Sequence, residues 1–235
     1  MTAKEVLDEL KKMGTPAIKK VLMNHGAKEP FYGVKVQDLK KIQKKVKKDY
    51  KLSMELYKTG ISDAMYLAGL IADESKMSKQ DIQQWADGAY WSMISEYTVP
   101  WVASESKYGY ELALEWIESK KENIAVAGWN TLSALVTIKP DAELDLKKIK
   151  SLLARVEKEI HTAPNRVRYT MNGFIIAVGG YVVSLHNDAV ATAKKIGTVT
   201  VDMEGTACKV PAADGYIEKM KQKGYLGKKR KTVKC

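Results

Sequence analysis

The sequence predicts an all-α chain of stacked helical pairs interrupted by one β-hairpin. Apolar residues recur at three-to-four spacing along most of the 235 residues, which is the period of an amphipathic helix. The helical stretches fall in pairs about every 35–40 residues, the period of HEAT-like and armadillo α-α solenoids. The pattern changes once, between residues 198 and 210, to an alternation of period two. One domain spanning residues 1–235 is expected, with the hairpin at 198–210 and a basic tail at 224–235.

Composition narrows the partners. With 45% hydrophobic residues the chain can bury a large core without cross-links. Its formal net charge of +11 calls for an acidic partner, either nucleic acid or an anionic membrane. No run approaches the roughly 18 apolar residues of a membrane span, so no membrane partner is expected. The start, Met1 to Leu10, has no apolar signal region. Cys208 and Cys235 are too few for a disulfide scaffold and lack metal-ligand spacing. A cytoplasmic location follows, at the nucleoid where DNA is the partner.

Val6, Leu7 and Leu10 give the first helix its apolar face. Gly14 ends it, and Thr15-Pro16 restarts the chain as an N-cap followed by a first-turn proline. Ile18, Val21 and Leu22 are expected to face inward until Gly26. After the connector Phe31 to Val36, Leu39, Ile42 and Val46 mark a helix. Its other faces carry Lys35, Lys40, Lys41, Lys44, Lys45, Lys47 and Lys48, a surface that is either simply solvated or able to track phosphates. Short helices follow at Leu52–Tyr57 and Asp63–Ile71, and Ser78 caps another. Pro100 sits in a first turn, Tyr110–Ile117 and Ile124–Val136 form a pair, and Leu144–Ile160 is a long amphipathic helix.

Ala163 to Val183 reads as the central helix. It is apolar nearly all round from Phe174 onward, which suits burial. Arg166 and Arg168 stand at its N-terminal end, where the helix dipole adds to their field and favours an anion. Within the hairpin, Val199 and Val201 share one face, Glu204-Gly205 makes the turn, and Lys209 lies on the return strand. Such a ribbon either caps the solenoid or enters a DNA groove. Between Lys219 and Cys235 there are seven lysines, one arginine and no acidic residue. Lys228, Lys229, Arg230 and Lys231 therefore read as a nucleic-acid-binding tail, disordered when free.

Catalytic chemistry is sparse. His25, His161 and His186 are scattered, and no metal site or cofactor is expected. Phosphate-binding glycine motifs are absent, and Gly179-Gly180 fits close helix packing better. Tyr90, Trp91, Tyr97 and Trp101 crowd one helix corner together with Glu96, either as core or as a stacking surface for bases.

Gly33-Val-Lys-Val-Gln-Asp-Leu-Lys-Lys-Ile, the Tyr90-Trp91 corner, Glu122-Asn123 and the Arg166–Val183 helix resemble the AlkD-like DNA alkylation repair superfamily of HEAT-like-repeat proteins. The resemblance implies a concave cationic groove for DNA. In the superfamily's glycosylases it also implies a cleft made of a tryptophan, an aspartate four residues later, an arginine on the next repeat and a second tryptophan on the central helix. Such a cleft stabilises a cationic base and a developing oxocarbenium ion. Trp91 matches the first position. Ser95 replaces the aspartate, with Glu96 one step (about 100°) round an α-helix. Ala127-Gly128 stands at the arginine position, and Phe174 replaces the second tryptophan. These departures, the hairpin and the Ala207-Cys-Lys-Val-Pro block resemble the AlkF and AlkG branch, which implies binding of DNA, including branched DNA, with little or no excision.

The function expected from the sequence is therefore DNA binding through phosphate contacts by a monomer, with Lys40, Lys44, Arg166, Arg168 and Lys228 to Lys231 as contacts. Two alternatives stay open. One is a DNA glycosylase that uses Trp91 and Glu96 on alkylated purines. The other is a protein-binding solenoid, which the +11 charge disfavours.

Overall fold

Helix-start chemistry sets most of the boundaries. In the computed structural model, residues 1–234 are described, and Cys235 lies outside them. The chain runs through α1 (Ala3–Met13), α2 (Pro16–Asn24), α3 (Val36–Val46), α4 (Tyr50–Lys58), α5 (Ser62–Ile71) and α6 (Lys79–Gly88). A π-helical turn (Ile94–Thr98) leads into α7 (Val99–Glu105), followed by α8 (Gly109–Trp116), α9 (Glu122–Ile138), α10 (Leu146–Glu159), α11 (Asn165–Tyr181), α12 (His186–Ile196) and α13 (Ala213–Gln222). Thr2 and Ser78 form capping boxes with Glu5 and Asp81, while Thr15, Asp49 and Asp145 cap α2, α4 and α10 with their side chains. Each cap satisfies an N–H that the helix itself cannot.

The paired helices stack as a HEAT-like solenoid. α5, α7, α9 and α11 form its inner row, with α9 packed against both α7 and α11. Every residue of α5 is buried, and most of α9 and α11 are too. An inner helix surrounded by neighbours must be apolar on all sides, as the sequence reading expected for α11. The Gly179-Gly180 pair lets α13 approach: a Cβ on either glycine would collide with Ile217 or Met220.

Two expectations are overturned. Among the described residues no strand forms, so the β-hairpin is absent. Val199 and Val201 do turn inward, but they pack on helices rather than on a partner strand. Glu204 (φ 55°) and Gly205 (φ 72°) make a left-handed turn without a ladder beneath it. The backbone of Asp202 is held by a side chain instead. Asn165 donates to the Asp202 carbonyl at 2.9 Å and accepts from its N–H at 2.7 Å. Period-two alternation here records one face packed on helices, which any extended segment satisfies.

The tail is ordered rather than loose. After Gly227 it runs as an extended strap across the C-terminal ends of the whole inner row. The Gly227 N–H donates to the Gly180 carbonyl of α11 at 2.9 Å, and the Arg230 N–H to the Thr137 carbonyl of α9 at 2.9 Å. Lys229 Nζ reaches the Val136 carbonyl at 2.7 Å. Thr232 and Val233 bond the carboxylate of Glu105 on α7, and Lys234 Nζ reaches the Ala72 carbonyl beyond α5 at 3.4 Å. The strap bends at Lys231 and Val233, and the Lys234 side chain covers the last stretch to α5. Its lysines approach carbonyls that the helices leave unpaired, at the negative end of the dipoles.

Candidate functional site

A cavity of about 360 Å³ opens at the N-terminal end of α11, beside the π turn that leads into α7. Trp91, Glu96 and Tyr97 line it from the π-turn side, Arg166 and Tyr169 from α11, Val21 and His25 from the end of α2, and Met203 to Cys208 from the loop. Val21, expected to face inward, is instead half exposed at this mouth, because α2 buries none of its residues.

The π turn explains how Glu96 arrives there. Pro100 has no N–H, so the Glu96 carbonyl four residues earlier cannot receive its α-helical bond, and the proline ring crowds it. The chain responds by widening: the Val99 N–H bonds the Ile94 carbonyl, an i to i+5 step. Asn130 on α9 supplies the missing donor, its Nδ2 reaching the Glu96 carbonyl at 2.8 Å. The wider turn removes the 100° offset expected on an α-helix and carries the Glu96 side chain into the cavity beside Trp91. Trp91 is fixed in turn by its indole N–H, which donates to the His25 carbonyl at 2.8 Å.

Glu96 is 4% exposed and does not stand alone. Arg166 Nε and Nη2 meet its Oε1 at 2.6 and 2.5 Å. The guanidinium also lies 4.5 Å over the Tyr169 ring, and Nη1 approaches Met203 Sδ at 3.6 Å. Burial pushes the Glu96 carboxyl up, Arg166 pulls it back, Glu122 and Glu204 add a smaller upward push, and the balance stands at about 7. Desolvation thus outweighs the attraction of the guanidinium. Glu122 in turn accepts the Arg166 backbone N–H at 2.7 Å, which caps the start of α11.

The structure brings together only part of the cleft expected from the sequence. Trp91 and Glu96 share the cavity. Ser95 is buried behind them, its hydroxyl directed at the Trp91 and Ser92 carbonyls at 3.4 and 3.5 Å. Phe174 is fully buried, its ring centroid 5.4 Å from that of Trp129. Ala127 and Gly128 are buried, and a Cβ at Gly128 would collide with Trp116 and Ile117. The cation of this site comes from α11 instead. Tyr169, Met203 and Asn130 escaped the sequence reading. Pro100 was the signal for Asn130, since a mid-helix proline orphans a carbonyl that something must satisfy.

The candidate phosphate contacts divide. Arg166 is tied to Glu96, and Arg168 is half-buried with Nη2 3.4 Å from Asn165 Oδ1. Lys229 turns inward to Asp141 at 2.8 Å. Lys44, Lys228, Arg230 and Lys231 are exposed, and Lys40 is half-buried on α3. Among the other α3 lysines, Lys41, Lys45 and Lys48 pair with Asp38, Glu9 and Glu74.

Residues 6–204 match the family described as DNA alkylation repair enzyme. An uncharacterized protein of Listeria innocua is 34% identical over 221 residues, covering 92% of this chain and 95% of that protein. A second uncharacterized protein, from Listeria monocytogenes, is 35% identical over the same coverage. One solved structure aligns over 100% of both chains with a TM-score of 0.92 and 39% identity. It belongs to a family related to the HEAT-like repeat DNA glycosylases, with affinity for branched DNA structures. With matches over nearly its whole length in sequence and all of it in fold, this chain belongs to the DNA alkylation repair enzyme family.

Proposed function

We propose that the protein binds DNA by its shape, preferring bent or branched forms, and removes bases little or not at all. The observation that carries this reading is the Glu96–Arg166 pair. A carboxylate that must stabilise a cationic base has to be free to face it, and here a guanidinium already occupies that role at 2.5 Å. The charge of +11 and the exposed cations Lys44, Lys228, Arg230 and Lys231 support backbone binding. The affinity of the structural relative for branched DNA supports the preference for shape.

A second reading keeps one observation in its favour: an aromatic-walled cavity that still holds a carboxyl, raised to about 7. Both readings are tested by titrating a four-way junction, a matched linear duplex and an alkylated duplex, with released bases analysed from the same samples. Tighter, salt-sensitive binding of the junction without base release is expected. Base release that disappears in Glu96→Gln would replace the binding module with a glycosylase.

A further inference from the structure

The turn from α3 into α4 carries backbone strain. Lys47 closes α3 at φ 61° and ψ −140°, its N–H donating to the Gln43 carbonyl at 2.7 Å. A side chain resists that conformation, which glycine adopts freely. α12 ends in the same conformation, at φ 58° and ψ −137°, and there the chain does use glycine, Gly197. Among the described residues Glu204 is the one other non-glycine residue with a positive φ. Lysine at position 47 thus weakens the turn relative to glycine, and its side chain must be wanted for something else.

What surrounds that side chain is a surplus of positive charge. A cavity of about 640 Å³ is lined by Lys44, Lys47 and Lys48, by Thr232 and Lys234 of the strap, and by Glu105. Lys48 and Lys234 share one buried carboxylate, Glu74. Glu105 is taken by the strap, accepting from the Thr232 hydroxyl and the Val233 N–H. Asp73, also in range of Lys48, is held by Lys76 at 3.2 Å. Lys44 and Lys47 are exposed, and among the described residues no carboxylate pairs with either. The negative end of the α3 dipole is worth about half a charge, so two unpaired lysines exceed what that helix end needs.

We propose that this cavity is a binding pocket for a single phosphate group, with Lys44 and Lys47 as its principal cations and Lys48, Lys234 and Thr232 at its walls. Lysine ammonium groups are compact charges with several donors each, which suits a tetrahedral anion approached from different sides. The pocket stands on the charge surplus and the strained lysine. Only the source of the phosphate, a backbone or a terminal group of DNA, rests on the DNA-binding reading above.

The test begins with inorganic phosphate. Isotope-labelled protein is titrated with sodium phosphate in exchange for sodium chloride at constant ionic strength, and its amide resonances are followed. Saturable shifts centred on Lys44, Lys47, Thr232 and Lys234 are expected. In the double variant Lys44→Gln/Lys47→Gln the phosphate affinity should fall roughly tenfold or more, with the Tm held because both side chains are exposed. Lys47→Gly separates the turn from the charge: its Tm should equal or exceed that of the wild type while phosphate binding weakens. Absence of saturable shifts, or an unchanged phosphate affinity in the double variant, would overturn the pocket. A lower Tm in Lys47→Gly with phosphate binding intact would overturn it too, since Lys47 would then serve the turn alone.

The source is read from one duplex with and without terminal phosphates. Tighter binding of the phosphorylated duplex, lost in the double variant, assigns the terminal group. Equal binding of both, weakened in the double variant, assigns the backbone. Unchanged affinity of the double variant for both would overturn DNA as the source. Wild-type protein that binds inorganic phosphate and neither duplex would instead sink the DNA-binding reading and leave the pocket standing.

Discussion

At the N-terminal ends of the inner helices α5 and α9 the chain places carboxylates, and at the C-terminal ends of the same two helices it places amines. Asp63 in the first turn of α5 accepts the backbone N–H groups of Tyr32 and Val34 at 2.5 and 2.8 Å. Glu122 opens α9 and caps α11. Across the molecule, Lys229 and Lys234 approach the carbonyls that end α9 and α5. Both choices match the helix dipole, at about 0.3–1 kcal/mol for each exposed group. The two edges differ in what is left over. At the cavity Glu96 is answered by Arg166, and beside it Glu122 by a backbone amide, while Glu204 lines the mouth as a further carboxylate. At the strap, the inward charges cancel, while among the described residues no carboxylate pairs with the outward ones. The cavity edge therefore ties up its one arginine and keeps a carboxylate at its mouth, whereas the strap edge presents unanswered cations.

The comparison breaks most visibly if the strap is removed. Ending the chain after Leu226 strips the caps from four helix ends and takes Lys234 from the buried Glu74. The expected loss is about 3–5 kcal/mol, and thermal denaturation should show a Tm lower by about 10 °C. A Tm within a degree or two of the full chain would mean the strap merely rests on the surface.

Arg166→Met tests the cavity edge. It leaves Glu96 buried without its partner, a change that costs about 3–5 kcal/mol when the charge is retained. Glu96 can escape by taking a proton, so urea unfolding should show the larger loss at pH 8 and a loss nearer 1 kcal/mol at pH 5. Equal losses at both pH values would show that the pair carries no charge.

Glu96→Gln sharpens the same point through linkage. The folded carboxyl is raised from 4.5 to about 7. The folded state therefore holds its proton more tightly than the unfolded chain does. The stability it contributes is full below about pH 4.5 and is lost as pH rises toward 7, at up to ~1.4 kcal/mol per pH unit. Stability measured at intervals from pH 5 to 8 should lose that slope in the variant. A slope identical to wild type would place the titration elsewhere.

The smallest effect is expected at the loop over the cavity. Asn165→Ala removes both bonds to the Asp202 backbone and should cost about 1–2 kcal/mol locally. Amide hydrogen exchange should speed up around 199–203 while α9 and α11 stay protected. Unchanged exchange in the loop would show that Val199 and Val201 hold it by packing alone.

How far the sequence could be read depended on the range of the interactions. The α1–α2 break at Gly14 with Thr15-Pro16, the Ser78 cap and the all-round apolar character of α11 were legible, because capping and burial patterns are local or periodic. The helices α12 and α13 were not singled out, since their short amphipathic faces gave no clear pattern beside the alternating segment between them. That alternation reported packing on one side and was silent about the partner, so it suggested a strand where a loop lies on helices. Glu96 was read as a cleft candidate one step round the helix from the carboxylate position, because α-helical geometry was assumed through Pro100 and the π turn was not.

The sequence by itself determined the helical periods, most of the caps, the buried central helix and the excess of positive charge, since each follows from residues within a few positions of one another. Only the tertiary structure decided that Arg166 reaches Glu96 seventy residues away and that Asn130 answers the carbonyl orphaned by Pro100. It also decided that a lysine-rich tail lies across four helix ends. These depend on which helix ends come side by side, a property of how the pairs stack, and the charge of a residue does not reveal whether a buried partner or solvent awaits it.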